Sequence, residues 1–171
     1  ELGMIIKNSG KNFMINLSLI VLIFLFDRIS KIYVIYLDKK FLGSEIFSSE
    51  FLNITLIWNE GIAFGLFSFD EKYLYNILTL FIVIIVLIIF FMLIKSKGFK
   101  KYALLMILGG ALGNVFDRIF YKAVPDFIDF HIGDFHWFIF NIADVFITLG
   151  VFFMILSEFI GNNNVKDYEK F

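Results

Sequence analysis

Apolar residues gather into four long runs, at about 13–36, 73–94, 102–121 and 137–160, with shorter polar stretches between them. A hydrocarbon core about 30 Å thick takes roughly 20 apolar residues of helix to cross, so each run predicts a transmembrane helix. The stretch 77–94 is almost unbroken Ile, Val, Leu and Phe. With no polar face for a cavity, it reads as a structural helix facing lipid. The first run carries Asp27, Arg28 and Lys31, and no small-residue cleavage site follows it. It therefore reads as a retained helix and not as a signal sequence. Residues 38–72 are too many for a turn, and Phe51-Leu52-Asn53-Ile54-Thr55-Leu56-Ile57-Trp58 favours extended structure. Short strands in a small sheet on the membrane surface are predicted there. The expected fold class is all-α polytopic, with four transmembrane helices and a small extracytoplasmic β-rich segment, residues 4–171 forming one membrane-embedded domain.

Composition supports that reading. The 171 residues are 60% hydrophobic, above the near-half share of soluble domains. The absence of Cys excludes a disulfide framework, a thiolate metal site and a thiol nucleophile. A formal net charge of −1 leaves no basic field for nucleic acid. Glu1-Leu2-Gly3, ahead of Met4, reads as a remnant of expression. The basic residues decide orientation: Lys95, Lys97, Lys100 and Lys101 lie between runs two and three, and Lys7 and Lys11 precede run one. These ends are expected on the cytoplasmic side. An even number of crossings then puts the tail, 161–171, there as well. Residues 38–72 and 122–136 face outward, with Tyr36, Tyr73, Tyr121 and Trp137 as interfacial anchors.

Charged groups inside spans are costly and usually face a protein interior or a water-filled cavity. Asp27 and Lys31 lie four apart on one helical face and form an ion pair, most simply a structural one. In run three, Gly109 and Gly113 permit close helix contact. Asn114 and Asp117 share the next face, where they support a site. Arg118 neutralises a carboxylate or meets lipid phosphate. Run four repeats the three-residue spacing with Asn141 and Asp144. Counted from Trp137, Asp144 lies about 10 Å inside the helix, with no cation within four positions. It must be protonated or find a distant partner, because desolvation penalises the charged form.

The outer stretch Val124-Pro125-Asp126-Phe127-Ile128-Asp129-Phe130 alternates apolar and acidic residues, as a short extended segment at the interface does. Asp126 and Asp129 would then point to opposite faces. Only one looks inward, and Asp129 and Asp134 are expected in solvent. His131 and His136 lack a metal-site spacing and read as solvated loop histidines. Gly61 and Gly65, in Trp58-Asn59-Glu60-Gly61-Ile62-Ala63-Phe64-Gly65, allow tight turns or close approach to an extended ligand.

Taken in order, five of these runs resemble the bacterial lipoprotein signal peptidase (signal peptidase II) family. They are Asp27-Arg28-Ile29-Ser30-Lys31, Asn59-Glu60-Gly61-Ile62-Ala63-Phe64, Gly109-Gly110-Ala111-Leu112-Gly113-Asn114-Val115-Phe116-Asp117-Arg118, Val124-Pro125-Asp126-Phe127-Ile128-Asp129 and Phe140-Asn141-Ile142-Ala143-Asp144. The resemblance implies an aspartic peptidase of the bacterial cytoplasmic membrane, working as a single chain without metal or other cofactor. Its partners are membrane lipids and its substrate a prolipoprotein, cut just before a cysteine that carries a diacylglyceryl group. Asp126 and Asp144 match the catalytic pair. Asp27, Lys31, Asn59, Gly61, Asn114, Asp117, Arg118 and Asn141 match positions that support or line the site. Pro125 departs from the pattern, since an aliphatic residue is common there, and this puts the local strand geometry in question. Two other classes compete on the residues alone. A small proton or ion pathway also uses intramembrane charges, but would need several copies to line a pore. A structural adaptor leaves Asp144 without a reason.

Overall fold

A computed structural model describes residues 2–61 and 72–168. Ile62, Ala63 and Phe64 of the second motif, Gly65, Glu1 and the last three residues of the tail lie outside the described residues. The elements in order are α1 (Leu2–Lys40), β1 (Phe47–Ser48), β2 (Leu52–Asn59), α2 (Lys72–Lys95), α3 (Gly98–Phe120), β3 (Val124–Ile132), β4 (Phe135–Phe140) and α4 (Ile142–Tyr168). Each of the four helices contains a stretch long and apolar enough to cross a membrane, at Asn12–Lys40, Tyr73–Lys95, Gly98–Phe120 and Ile142–Ile160.

The fourth helix starts later than its hydropathy suggests. Residues 137–140 belong to β4, not to a helix beginning at Trp137. Phe-His-Trp-Phe-Ile-Phe is apolar and aromatic, and a short run of that kind suits a strand as well as a helix. Asp144 therefore sits in the first turn of α4, not about two turns down it.

α3 is the central helix: 67% of its apolar stretch is buried, against 17%, 17% and 11% for the stretches of α1, α2 and α4. Glycines make this possible, since packing between membrane helices depends on close backbone approach and not on a hydrophobic drive. A Cβ on Gly109 would come within 2.9 Å of Ile23 and one on Gly113 within 2.5 Å of Asp27, both on α1. Gly110 and Gly150 seat α4, where an added Cβ would meet backbone oxygens at 2.5 Å (Ala143) and 2.7 Å (Ala103). Leu104, Leu105, Ile107, Leu108, Ala111 and Val115 of α3 close a core with Val86 and Leu93 of α2. α2 is thus more than the lipid-facing helix expected, because Ile82, Ile85 and Ile89 also wall a cavity against α3 and α4.

At one end of the bundle lies a four-stranded antiparallel sheet in the order β1-β2-β3-β4. Half of it comes from the segment after α3, so the β-rich region extends beyond residues 38–72. β3 and β4 form a hairpin in which Ile132 faces Phe135 and Gly133 takes φ +58°. That two-residue Gly-Asp connection is a hairpin signal in the sequence itself. Pro125 sits opposite Trp58 near the start of β3, beyond the last β3–β4 pair at Ile128 and Phe140. Proline is tolerated at such a strand end, where only one side of the strand is paired.

Candidate active site

The sheet and the helices meet at Asp126. Residue 126 stands opposite Ile57 near the end of the β2–β3 ladder, and Asn59 closes that ladder against Val124. This brings the Asn59 side chain to the carboxylate: Nδ2 donates to Asp126 Oδ2 at 2.9 Å, while Asn59 Oδ1 accepts from the Gly61 N–H at 2.9 Å. The other oxygen, Asp126 Oδ1, accepts from Asn141 Nδ2 at 2.6 Å.

Asn141 is also the residue before α4, and it caps that helix reciprocally with Asp144. Its Oδ1 accepts from the Asp144 N–H at 3.1 Å, and Asp144 Oδ2 accepts from the Asn141 N–H at 3.2 Å. This is a capping box, in which two otherwise unpaired helix-end donors are satisfied by each other's side chains. The remaining oxygen, Asp144 Oδ1, accepts from Asn114 Nδ2 at 2.8 Å. Each carboxyl group is therefore held by two N–H donors, and Asn141 touches both. The pair lines one cavity of about 360 Å³ between α2, α3 and α4, shared with Asn59, Asn114, Arg118 and the isoleucines of α2.

Beneath the pair lies a buried charge cluster. Lys31 Nζ, wholly buried, reaches Asp27 at 2.9 Å, Asp117 Oδ2 at 2.7 Å and Asn114 Oδ1 at 2.8 Å. Arg28 Nη2 bridges the same two acids, at 3.2 Å to Asp27 and 2.5 Å to Asp117, and its guanidinium lies 4.9 Å from the Phe116 ring centre. Two acids face two bases, so the cluster is neutral. The expected Asp27–Lys31 pair is there, enlarged by Asp117 and Arg28. Asp27 Oδ1 also accepts the Ala143 N–H at 3.0 Å, which ties the first turn of α4 to α1. Arg28 went unrecognised as a partner because its neighbour Asp27 and its counter-ion on α3 meet only in three dimensions.

Several expectations change. Arg118 lies within electrostatic reach of Asp144, Asp126 and Asp117 but, among the described residues, forms a direct ion pair with none of them. It is 5% exposed and donates from Nη1 to Asn114 O and from Nη2 to Gly61 O, both at 3.2 Å. Asp129 is buried, not solvated, and accepts a 2.8 Å bond from or shares one with His136 Nδ1. His136, exposed as expected, stacks on His131 across the hairpin with ring centres 5.0 Å apart, and both histidines stand on strands and not in a loop. Asp134 is exposed, as expected.

Burial, reinforced by the neighbouring charge of Asp144, pushes the Asp126 carboxyl up to about 6, against the pull of the Asn59 and Asn141 amides. A carboxyl with a higher pKa folded than unfolded binds its proton more tightly in the fold. Its contribution to stability is complete below pH ~4 and is lost as pH rises through about 6, on the order of 3 kcal/mol. Asp126→Asn cannot titrate. Its thermal midpoint relative to the parent should climb between pH 4 and pH 7, measured by unfolding in detergent. A constant difference across that range would contradict the assignment.

Residues 19–160 match the family described as Signal peptidase (SPase) II. The chain is 50% identical over 164 residues to the lipoprotein signal peptidase of Pelagibacter ubique (strain HTCC1062), covering 96% of this chain and 98% of that one. It is 42% identical over 137 residues to the lipoprotein signal peptidase of Anaplasma phagocytophilum (strain HZ), covering 77% and 83%. Two solved structures of a bacterial membrane enzyme, obtained by the in meso method, share the fold. One has a TM-score of 0.68 and 31% identity over 87% of this chain and 90% of its own; the other has 0.66 and 33% over 83% and 90%. With four membrane-crossing helices, a sheet at one end of the bundle and a match over most of its length, the chain belongs to the signal peptidase II family of membrane proteases.

Proposed function

We propose that this chain is an intramembrane aspartic endopeptidase that removes the signal peptide from diacylglyceryl-modified prolipoproteins, just before the lipidated cysteine. The observation that carries the reading is the meeting of Asp126 and Asp144 at one cavity, joined by Asn141 and each held by two N–H donors. Two carboxyl groups that face one poorly solvated cavity and share Asn141 do not both ionise at neutral pH. They share a proton and titrate as a unit.

The chemistry follows from that shared proton. The ionised member takes a proton from water as the water oxygen attacks the scissile carbonyl carbon. The neutral member gives its proton to the carbonyl oxygen, forming a neutral tetrahedral diol. Collapse breaks the C–N bond as the new amine receives a proton from the first carboxyl group and the diol returns one to the second. The pair ends as it began, and the products are the free signal peptide and a lipoprotein with an amino-terminal cysteine.

The setting suits such a substrate. The walls of the cavity are isoleucines of α2, α3 and α4, which can accept an apolar helix from lipid. Lys95, Lys97, Lys100 and Lys101 lie at the α2–α3 connection, the end of these helices opposite the sheet. By the positive-inside rule that end is cytoplasmic and the dyad faces outward. Purified protein incubated with a diacylated prolipoprotein peptide should yield one new amino terminus, at the modified cysteine, as mapped by mass spectrometry. Cleavage elsewhere, or none, would sink the reading.

A further inference from the structure

α2 carries a buried phenol that the dyad chemistry does not use. Tyr75 is 6% exposed, and its hydroxyl oxygen, near the Thr79 side chain, completes no hydrogen bond among the described residues; its backbone oxygen accepts from Thr79 Oγ1 at 2.9 Å. Buried polar atoms are nearly always paired, so an orphan calls for an explanation. A second orphan lies on α3. Arg118 uses Nη1 and Nη2 on backbone carbonyls, but its buried Nε–H has no partner among the described residues. The two groups lie within electrostatic reach of each other. Tyr75 also feels Asp117 and Glu60, and Arg118 feels Asp144, Asp126 and Asp117.

Their position relative to the cavity is set by helical spacing. Tyr75, Ile82, Val86 and Ile89 recur along one face of α2, and the last three wall the cavity that holds Arg118, Asp126 and Asp144. At 1.5 Å per residue, Tyr75 lies about 10 Å outward of Ile82. It continues that face of α2 beyond the residues that line the cavity, toward the sheet end of the bundle.

Both orphans are hydrogen-bond donors, and a phenol O–H and a guanidinium N–H together match an acceptor oxygen. An anion is poorly suited, because Asp117, Asp126, Asp144 and Glu60 surround the place with negative charge. A neutral carbonyl oxygen on a largely apolar chain fits the donors and the isoleucine walls alike. We propose that the Tyr75 hydroxyl, together with Arg118 Nε–H, forms a subsite that takes a carbonyl oxygen of the substrate at the sheet end of the dyad cavity. The inference rests on the endopeptidase reading above. The carbonyl belongs either to the peptide backbone or to a glyceryl ester, and the two sources are separable.

The test is Tyr75→Phe in the full chain, assayed by steady-state cleavage of a diacylated prolipoprotein peptide and of its ether-linked dialkyl analogue. The variant keeps the ring and loses only the donor. KM for the diacyl peptide should rise about 5- to 10-fold, the scale of one neutral hydrogen bond, with kcat within about twofold. The thermal midpoint should not fall, since no bond within the protein is removed. A backbone carbonyl predicts the same rise for both substrates. An ester carbonyl predicts that the parent already handles the ether analogue as poorly as the variant does. An unchanged KM on both peptides overturns the subsite, as does a loss of kcat and thermal stability at constant KM, which marks a scaffold role. If the parent cleaves neither peptide, the endopeptidase reading fails first and the subsite with it.

Discussion

Asp126→Asn and Asp144→Asn should each lower kcat for a diacylated prolipoprotein peptide by at least about 10³-fold, because either change removes a partner in proton transfer. An amide can neither accept the proton of the attacking water nor give one to the carbonyl oxygen. The two variants differ in what they do to the fold, and this makes the result interpretable. At 126, Asn still accepts from one of the two amides that hold the carboxylate and no longer carries a charge that burial penalises. At 144 it disturbs the capping box and the Asn114 bond, a loss of about 1 kcal/mol. Both proteins should therefore remain folded in detergent. Activity within tenfold of the parent in either variant would remove that aspartate from the chemistry.

Lys31→Met should be the most damaging change to stability. It leaves Asp27 and Asp117 sharing only Arg28 in a site without solvent. Breaking a buried ion pair on one side costs about 3–5 kcal/mol, a large part of the margin by which a domain folds. A second substitution separates charge balance from function. In Lys31→Met, Asp117→Asn the cluster is again neutral, and the thermal midpoint should recover much of the loss. Activity should not recover with it. Asn114 Oδ1 accepts from Lys31 at 2.8 Å, and this contact fixes which end of the amide faces Asp144. Full recovery of kcat in the double variant would show that Lys31 serves only as a counter-ion.

The four crossings were legible because membrane thickness is written into run length, and Asp27 and Lys31 because helical periodicity places residues four apart on one face. What escaped was of two kinds. Phe135–Phe140 is apolar enough to extend the fourth helix, and its strand character depends on pairing with β3, which periodicity over six residues does not reveal. Asn141 and Asp144, read as neighbours on a helical face, are the two ends of a capping box. The spacing N-x-x-D at the edge of an apolar run carried that alternative. The long-range contacts form the second kind. Asp126 meets Asn59 and Lys31 meets Asn114 through pairings that no local pattern encodes. The family motifs brought those residues onto one list, but not which atom faces which. Asp129 escaped for a similar reason, since its partner His136 lies across the hairpin.

The capping box also bears on safety. A hydrolase that lives among hundreds of apolar helices has to stay silent until it is complete. Here Asp144 is positioned by the first turn of α4, and that turn is held on one side by Asp27 of α1 and on the other by Asn141, which also grips Asp126 of the sheet. Under the proposed mechanism, a chain whose α1, α4 and sheet have not docked lacks the paired carboxyl groups and should not cleave, so activity would report that these parts have come together.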